Sequence, residues 1–203
     1  MSRCRSMGIL AIVLMALLGL SAPVNASTYD WRKANFWALS HAQDQQPGFN
    51  GCAWFVSNAL WVGGMPKSKT WTDAGGQPSK KVGWLPGTNT ARLAEELYNY
   101  LKKQPGVKLL QITDRYDPRK TAVPEARPSD VVAYDWDGNG HVDHVSLVVT
   151  LAPNSYPVVS EWGSAPDGKV SPYQYRGWSW SQNNGRWQKQ VHPGVRAYLL
   201  MIR

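Results

Sequence analysis

The apolar residues of this 203-residue chain change period part-way along, and that switch limits the folds open to it. Up to about residue 103 they recur at helical spacing; from 107 onward they fall in short runs typical of strands. Residues 30–42 read as a helix, with Asp30 as N-cap and Ala34, Trp37, Ala38 and His41 along one side. Residues 45–48 form a turn. Residues 52–61 place Cys52, Phe55, Val56, Ala59 and Leu60 on one helical face, which Gly63 and Gly64 end. A long surface loop is expected over 65–88, followed by a helix over 90–103. Its stripe is Leu93, Leu97 and Leu101, its acids Glu95 and Glu96 lie early, its bases Lys102 and Lys103 lie late, and Pro105-Gly106 stops it. Strands are predicted over 107–112, 131–134, 145–151, 157–162 and 197–202, with an ordered, proline-bearing loop over 113–130. Helices followed by strands point to an α+β fold, N-terminal helices packed on an antiparallel sheet. No internal repeat or low-complexity linker divides the chain.

The first 26 residues read as a secretory signal peptide, with Arg3 and Arg5, an apolar run from Gly8 to Leu20, and Val24-Asn25-Ala26 as cleavage site. The expectation is an exported single domain over 27–203, placed in the cell envelope or outside the cell. The chain carries 22 Lys+Arg and 14 Asp+Glu; removing Arg3 and Arg5 leaves 20 basic residues against 14 acidic, a net charge of +6. A moderate positive charge favours anionic surfaces such as a bacterial wall. No basic run exceeds two residues, so nucleic acid is not an expected partner. No apolar stretch after residue 26 is long enough to span a membrane. A monomer is expected.

Losing the leader removes Cys4 and leaves Cys52 as a lone thiol in an oxidising compartment, where cysteines usually pair. It is either a nucleophile, half of an intermolecular disulfide, or a buried core residue. Its place at a helix start, after Asn50-Gly51, favours the thiolate, because unpaired N–H groups and the helix dipole lower a cysteine's pKa there. The same N–H groups could hold an oxyanion. A cysteine nucleophile needs a base, usually histidine. His41 falls on the first helix, His141 in a Gly/Asp-rich turn and His192 in a His-Pro-Gly turn; His144 opens the apolar strand HVSLVV, where a scaffold could hold an imidazole. A four-residue loop over 151–154 would pair Thr150 with Ser155. Six residues further along each strand, that register puts His144 directly opposite Glu161, which could orient the imidazole. A slip of one residue would turn Glu161 to the other face and leave Ser160 as the fallback.

GCAWFVSNAL, then DHVSLVV, then VVSEW, together resemble the NlpC/P60 and CHAP group of papain-like cysteine peptidases and amidases. The PSDVVAYDWDGNGHVDH segment is similar to the Putative amidase domains of the same superfamily. The resemblance covers roughly residues 48–165 and implies a papain-like fold with Cys52 as nucleophile, His144 as base and Glu161 as orienting residue. It implies a hydrolase acting on amide bonds of bacterial peptidoglycan, as amidase or endopeptidase, with no required cofactor. Gly163 stands where CHAP domains often carry Asn, Asn50-Gly51 stands where the amidase domains more often show Asp, and the segment after 165 matches nothing.

Asp135, Asp137, Asn139 and Asp143 fall at positions 1, 3, 5 and 9 of a calcium loop with Gly140 at position 6, but position 12, normally a bidentate Glu, is Ser146. The segment is either a structural calcium site or a hairpin loop built from turn-forming residues. Zinc is not expected, as no Cys/His cluster has ligand spacing. Two other functions remain open: a glycan-binding module using Tyr173, Tyr175, Trp178, Trp180 and Trp187, and thiol-dependent acyl transfer on the same chemistry. The aromatic tail could equally be an extra strand and loop that shield the sheet.

Overall fold

The structure is a computed structural model and describes residues 29–44, 49, 51–116, 120–164 and 170–203. The leader assigned to 1–26, and Asn50, lie outside them. In chain order the elements are helices α1 (Trp31–His41) and α2 (Cys52–Val62), strands β1 (Gly76–Ser79) and β2 (Gly83–Pro86), and helices α3 (Asn89–Arg92) and α4 (Ala94–Leu101). Strands β3 (Val107–Gln111), β4 (Val131–Asp135), β5 (His144–Ala152), β6 (Tyr156–Ser164) and β7 (Val170–Gly177) follow. The short β8 (Trp180–Ser181), β9 (Arg186–Trp187) and α5 (Gln188–Val191) lead into β10 (Arg196–Ile202). Six strands form one antiparallel sheet in the order β3-β10-β4-β5-β6-β7. The α+β class with an antiparallel sheet is as read. Among the described residues no helix is long and apolar enough to cross a membrane.

Asp30 caps α1 by accepting from the Arg32 N–H at 2.9 Å, and Ala34 and Ala38 are its buried side. The predicted face of α2 is buried throughout. These helices lie on one face of the sheet, against Val131, Ala133, Val145, Leu147 and Val149, with Leu97 and Leu101 of α4 in the same core. The opposite face carries a second core, in which Val132, Tyr134, Val148 and Val159 meet Ile112, Tyr116 and Val123 from the 113–130 region, and Trp178. Apolar cover on both faces explains why all five residues of β4 are buried.

Two local expectations are corrected. The helix predicted over 90–103 is broken at Leu93, whose backbone is extended (φ −105°, ψ 129°). Leu93 is 48% exposed, and Ala94 and Tyr98 join Leu97 and Leu101 on the buried side. Leucine favours helix, so only tertiary packing explains the break; Arg92 is buried there, held by Asn89 Oδ1 at 2.7 Å. The 65–88 loop contains the β1–β2 hairpin and the fully buried Trp71, whose indole donates to Ser57 Oγ at 2.8 Å. The tail is the extra strand and loop that the sequence reading offered: it supplies β7 on the outer side of β6, with Trp178 buried and Tyr175 exposed.

The third correction concerns the β5–β6 register. Ala152 opposes Tyr156 and Thr150 opposes Val158, three positions out of the expected alignment. That offset alone would turn Glu161 away from His144. A bulge at Val149 removes one position, so Leu147 opposes Ser160 and the offset falls to two, which restores the side-chain face. Continued along the strands, this register makes Glu161 a diagonal neighbour of His144, still within reach of two long side chains.

Candidate active site

Three elements converge at the first residue of β5. Helix α2 starts at Cys52, and its N-cap is Gly51, which has no side chain with which to satisfy the first-turn N–H groups. A Cβ on Gly51 would lie 3.0 Å from the Trp162 ring, so a larger residue would force the helix start away from β6. Cys52 is a free thiol, 6% exposed. The His144 ring hydrogen-bonds to it, and the backbone N–H groups of Val145 and Ala53 point at the sulfur. His144 pairs with Tyr134 on β4, and its Nε2 lies 3.0 Å from Glu161 Oε2. The contact is an ion pair set off the line of an ideal hydrogen bond, since Nε2 has no partner of hydrogen-bond geometry. With Nε2 turned to Glu161, Nδ1 is the ring nitrogen left for the thiol.

The sequence reading missed the fourth member, Arg176 of β7. Its Nε donates to Glu161 Oε1 at 2.9 Å and its Nη2 to Oε2 at 2.6 Å, a two-pronged pair with both residues buried. Nη1 donates to the carbonyls of Gly177 (3.0 Å) and Trp180 (3.0 Å), and Nη2 reaches Tyr134 Oη at 3.3 Å. Tyr134 in turn accepts from Ser146 Oγ at 3.2 Å and donates to the Trp178 carbonyl at 3.0 Å. One signal was available in the sequence: a buried carboxylate needs a cation, and Arg176 is an arginine set among the aromatic residues of the tail, fifteen residues past Glu161. Ser160, the fallback, is turned to β7 and donates to the Gln174 carbonyl.

Charge governs the protonation of these groups. Burial pushes the Cys52 thiol up, but the His144 ring and the two backbone N–H groups outweigh it and hold the thiol below its ordinary value. Burial pushes His144 down, yet Glu161 and Cys52 carry it up to about 10. Burial opposes ionisation of Glu161, and Arg176 and His144 together hold its carboxyl well below the usual carboxylate range. Burial raises Tyr134 to about 12, so it stays a neutral phenol. The arrangement can deliver a thiolate beside an imidazolium, with first-turn N–H groups at hand for a developing oxyanion.

A cavity of about 240 Å³ opens beside this set, lined by His144, Glu161, Arg176, Gly163, Trp136 and His192, with side-chain amides around Asn183. Trp136 stacks between two imidazoles, His192 at 4.8 Å and His144 at 6.0 Å between ring centres. His41 is remote in role: its Nδ1 faces the Trp37 carbonyl and its own carbonyl accepts from the Trp162 indole. Gly163 lines this cavity and brings no side chain to it.

Asp135, Asp137, Asn139 and Asp143 come together in the β4–β5 connection. Ligand oxygens of the three aspartates lie within 4.8 Å of one another, so they could hold a cation. Asp135 is buried and accepts from the N–H groups of Gly138, Asn139 and Gly140 at 2.7–3.1 Å. Asn139 Oδ1 accepts from the His141 N–H, and Asp143 from that of Trp136, both at 2.8 Å. Ser146 is buried on β5 and bonded to Tyr134, so it supplies no ligand. Glu95 of α4 accepts from the Val142 N–H at 2.5 Å and pins the end of the loop two residues before His144.

No curated protein matches the chain. A family model does: the one described as Putative amidase domain matches residues 26–186, a span that takes in Cys52, His144, Glu161 and Arg176. That is well over half of the sequence, and the chain belongs to the Putative amidase domain family.

Proposed function

We propose that the protein is an exported cysteine hydrolase of the papain-like NlpC/P60–CHAP superfamily, cleaving amide bonds of bacterial peptidoglycan as an amidase or endopeptidase. The observation that carries this reading is the placement of His144, with the Cys52 thiol on one ring nitrogen and Glu161 Oε2 3.0 Å from the other. In the reaction, the thiolate attacks the amide carbonyl and the electron pair moves onto its oxygen. N–H groups at the start of α2 stabilise that oxyanion. His144 then gives its proton to the leaving nitrogen, the C–N bond breaks, and a thioester remains on Cys52. A water molecule gives a proton to His144 as it attacks the thioester, and the acid departs. Glu161 holds the ring's orientation and stabilises its charged form. The amidase family and the helix-start cysteine, strand-start histidine and next-strand carboxylate support the superfamily reading. The net positive charge is suited to an anionic wall.

The test is digestion of purified peptidoglycan with the protein and with Cys52→Ala, read by mass spectrometry. New fragments from the wild type alone are expected, and their masses name the bond. Retention on the wall with no fragments from either protein would overturn the hydrolase in favour of a binding module. Fragments joined to an added amine would replace hydrolysis by acyl transfer.

A further inference from the structure

Arg176 is too deeply built into the site to be only a surface partner of Glu161. Its guanidinium is buried on the sheet face opposite the helices, forks onto both carboxylate oxygens, and fixes its remaining donors on strand-end carbonyls and Tyr134. A planar, always charged fork of this kind sets both the position and the ionisation of its carboxylate. Glu161 Oε2 receives Arg176 Nη2 at 2.6 Å and faces His144 Nε2 at 3.0 Å, so one oxygen links the two cations. Four ionisable groups then run in sequence through the buried site: thiol, imidazole, carboxylate, guanidinium.

We propose that Arg176 is a positioning residue that keeps the buried site electrically neutral while the proton moves between Cys52 and His144. With Arg176 present, the thiol–imidazole form and the thiolate–imidazolium form both sum to zero against the Glu161–Arg176 pair. The internal proton transfer therefore leaves the net buried charge unchanged. Without Arg176, the thiolate–imidazolium–carboxylate form carries one uncompensated negative charge in a low-dielectric site, which is costly. The neutral alternative keeps a proton on both sulfur and ring, and that form cannot attack. The other groups facing the site do not restore the balance. Tyr134 of β4, Tyr156 of β6 and Tyr116 beside them are phenols pushed up by burial. His192, behind Trp136, is pushed down by burial.

This inference rests on the thiol–imidazole reading above, and the test separates the two without any substrate. The rate of Cys52 alkylation by iodoacetamide, in which the thiolate sulfur displaces iodide, is followed against pH in the full chain. In wild type, reactivity should persist far below the ordinary thiol range; a simple titration near that range would overturn the catalytic reading itself. Arg176→Met should move the acid limb up by about one pH unit or more, roughly a tenfold loss of thiolate at the old limb. Glu161→Gln/Arg176→Gln removes both charges, and the limb should return to within about 0.3 unit of wild type. Because it exchanges a buried ion pair for neutral partners, the double variant also carries the test where the single one does not fold. A lowered melting temperature with an unmoved limb in Arg176→Met would make Arg176 structural only. A limb still displaced upward in the double variant would overturn charge compensation.

Discussion

The two faces of the sheet are built on opposite terms. The helix face is an apolar core in which α1, α2 and α4 press small and aliphatic side chains onto β4 and β5. The other face also carries a buried apolar core, but beside it lies a string of polar groups from Ser146 and Tyr134 to Arg176, Glu161 and His144. The first face contributes the thiol and a helix terminus; the second contributes the charges that ionise it. Neither face alone makes a reactive site. On the proposed reading the chemistry sits at the first residue of β5, where the start of α2 reaches the imidazole that the other face holds, and stability and reactivity are assigned to different residues.

That division can be broken in stated ways. Cys52→Ala should abolish amide cleavage, by at least about a thousandfold, while the fold persists. The same variant exposes a hidden pH dependence. His144, raised to about 10 from 6.5, contributes stability that is complete below about 6.5 and lost as pH rises through 10. Cys52, held below 9.0, contributes stability that is complete above 9.0 and lost as pH falls through its folded value. Between 6.5 and 9.0 the slopes have opposite signs, because the folded pair carries its one proton on the ring and the unfolded pair on the sulfur. Urea unfolding should show nearly flat stability across that window in wild type and a decline with pH in Cys52→Ala.

Leu97→Ala, on the helix face and fully buried, should cost about 2–5 kcal/mol in the same unfolding measurement. It should leave kcat per folded molecule and the acid limb of thiol alkylation unchanged; a moved limb would collapse the distinction between the faces. Glu161→Gln should lower kcat/KM by about 10–100-fold and bring the His144 titration, followed by NMR of its ring proton, down from its raised value. Asp135→Asn, which loosens the loop ahead of His144 without touching the charged string, should cost about 1 kcal/mol of stability with the limb in place.

The helix face was legible because its signals are local. An Asp30 cap, an i, i+3, i+4 pattern from Cys52 and a terminating glycine pair are all readable within a dozen residues. Such signals named the thiol; His144 was named from the start of an apolar strand, and Glu161 from a misaligned register and the family resemblance, and the structure brings the three side chains together. What escaped is long-range. Leu93 is a helix former held extended by its surroundings. Strand β7 contains Pro172 and reads poorly as a strand, yet it supplies Arg176 from fifteen residues beyond Glu161. The 76–86 hairpin is rich in glycine, proline and polar residues, with little alternation to betray it. The turn itself was marked by Ala152-Pro153-Asn154, with Asn154 at φ 61°, but the register was read from loop length, and the bulge at Val149 leaves no mark in composition.

The Val149 bulge makes the site sensitive to odd and even. The β5–β6 turn and the bulge each shift the strand alignment, and their combined parity decides whether Glu161 shares a face with His144. A two-residue change in this hairpin keeps the two side chains on one face, whereas a single one does not. A relative whose turn is one residue shorter or longer keeps the same imidazole–carboxylate pair only by losing the bulge or gaining another. Length change in this hairpin should thus come in pairs, and alignments of the family can be read for that count.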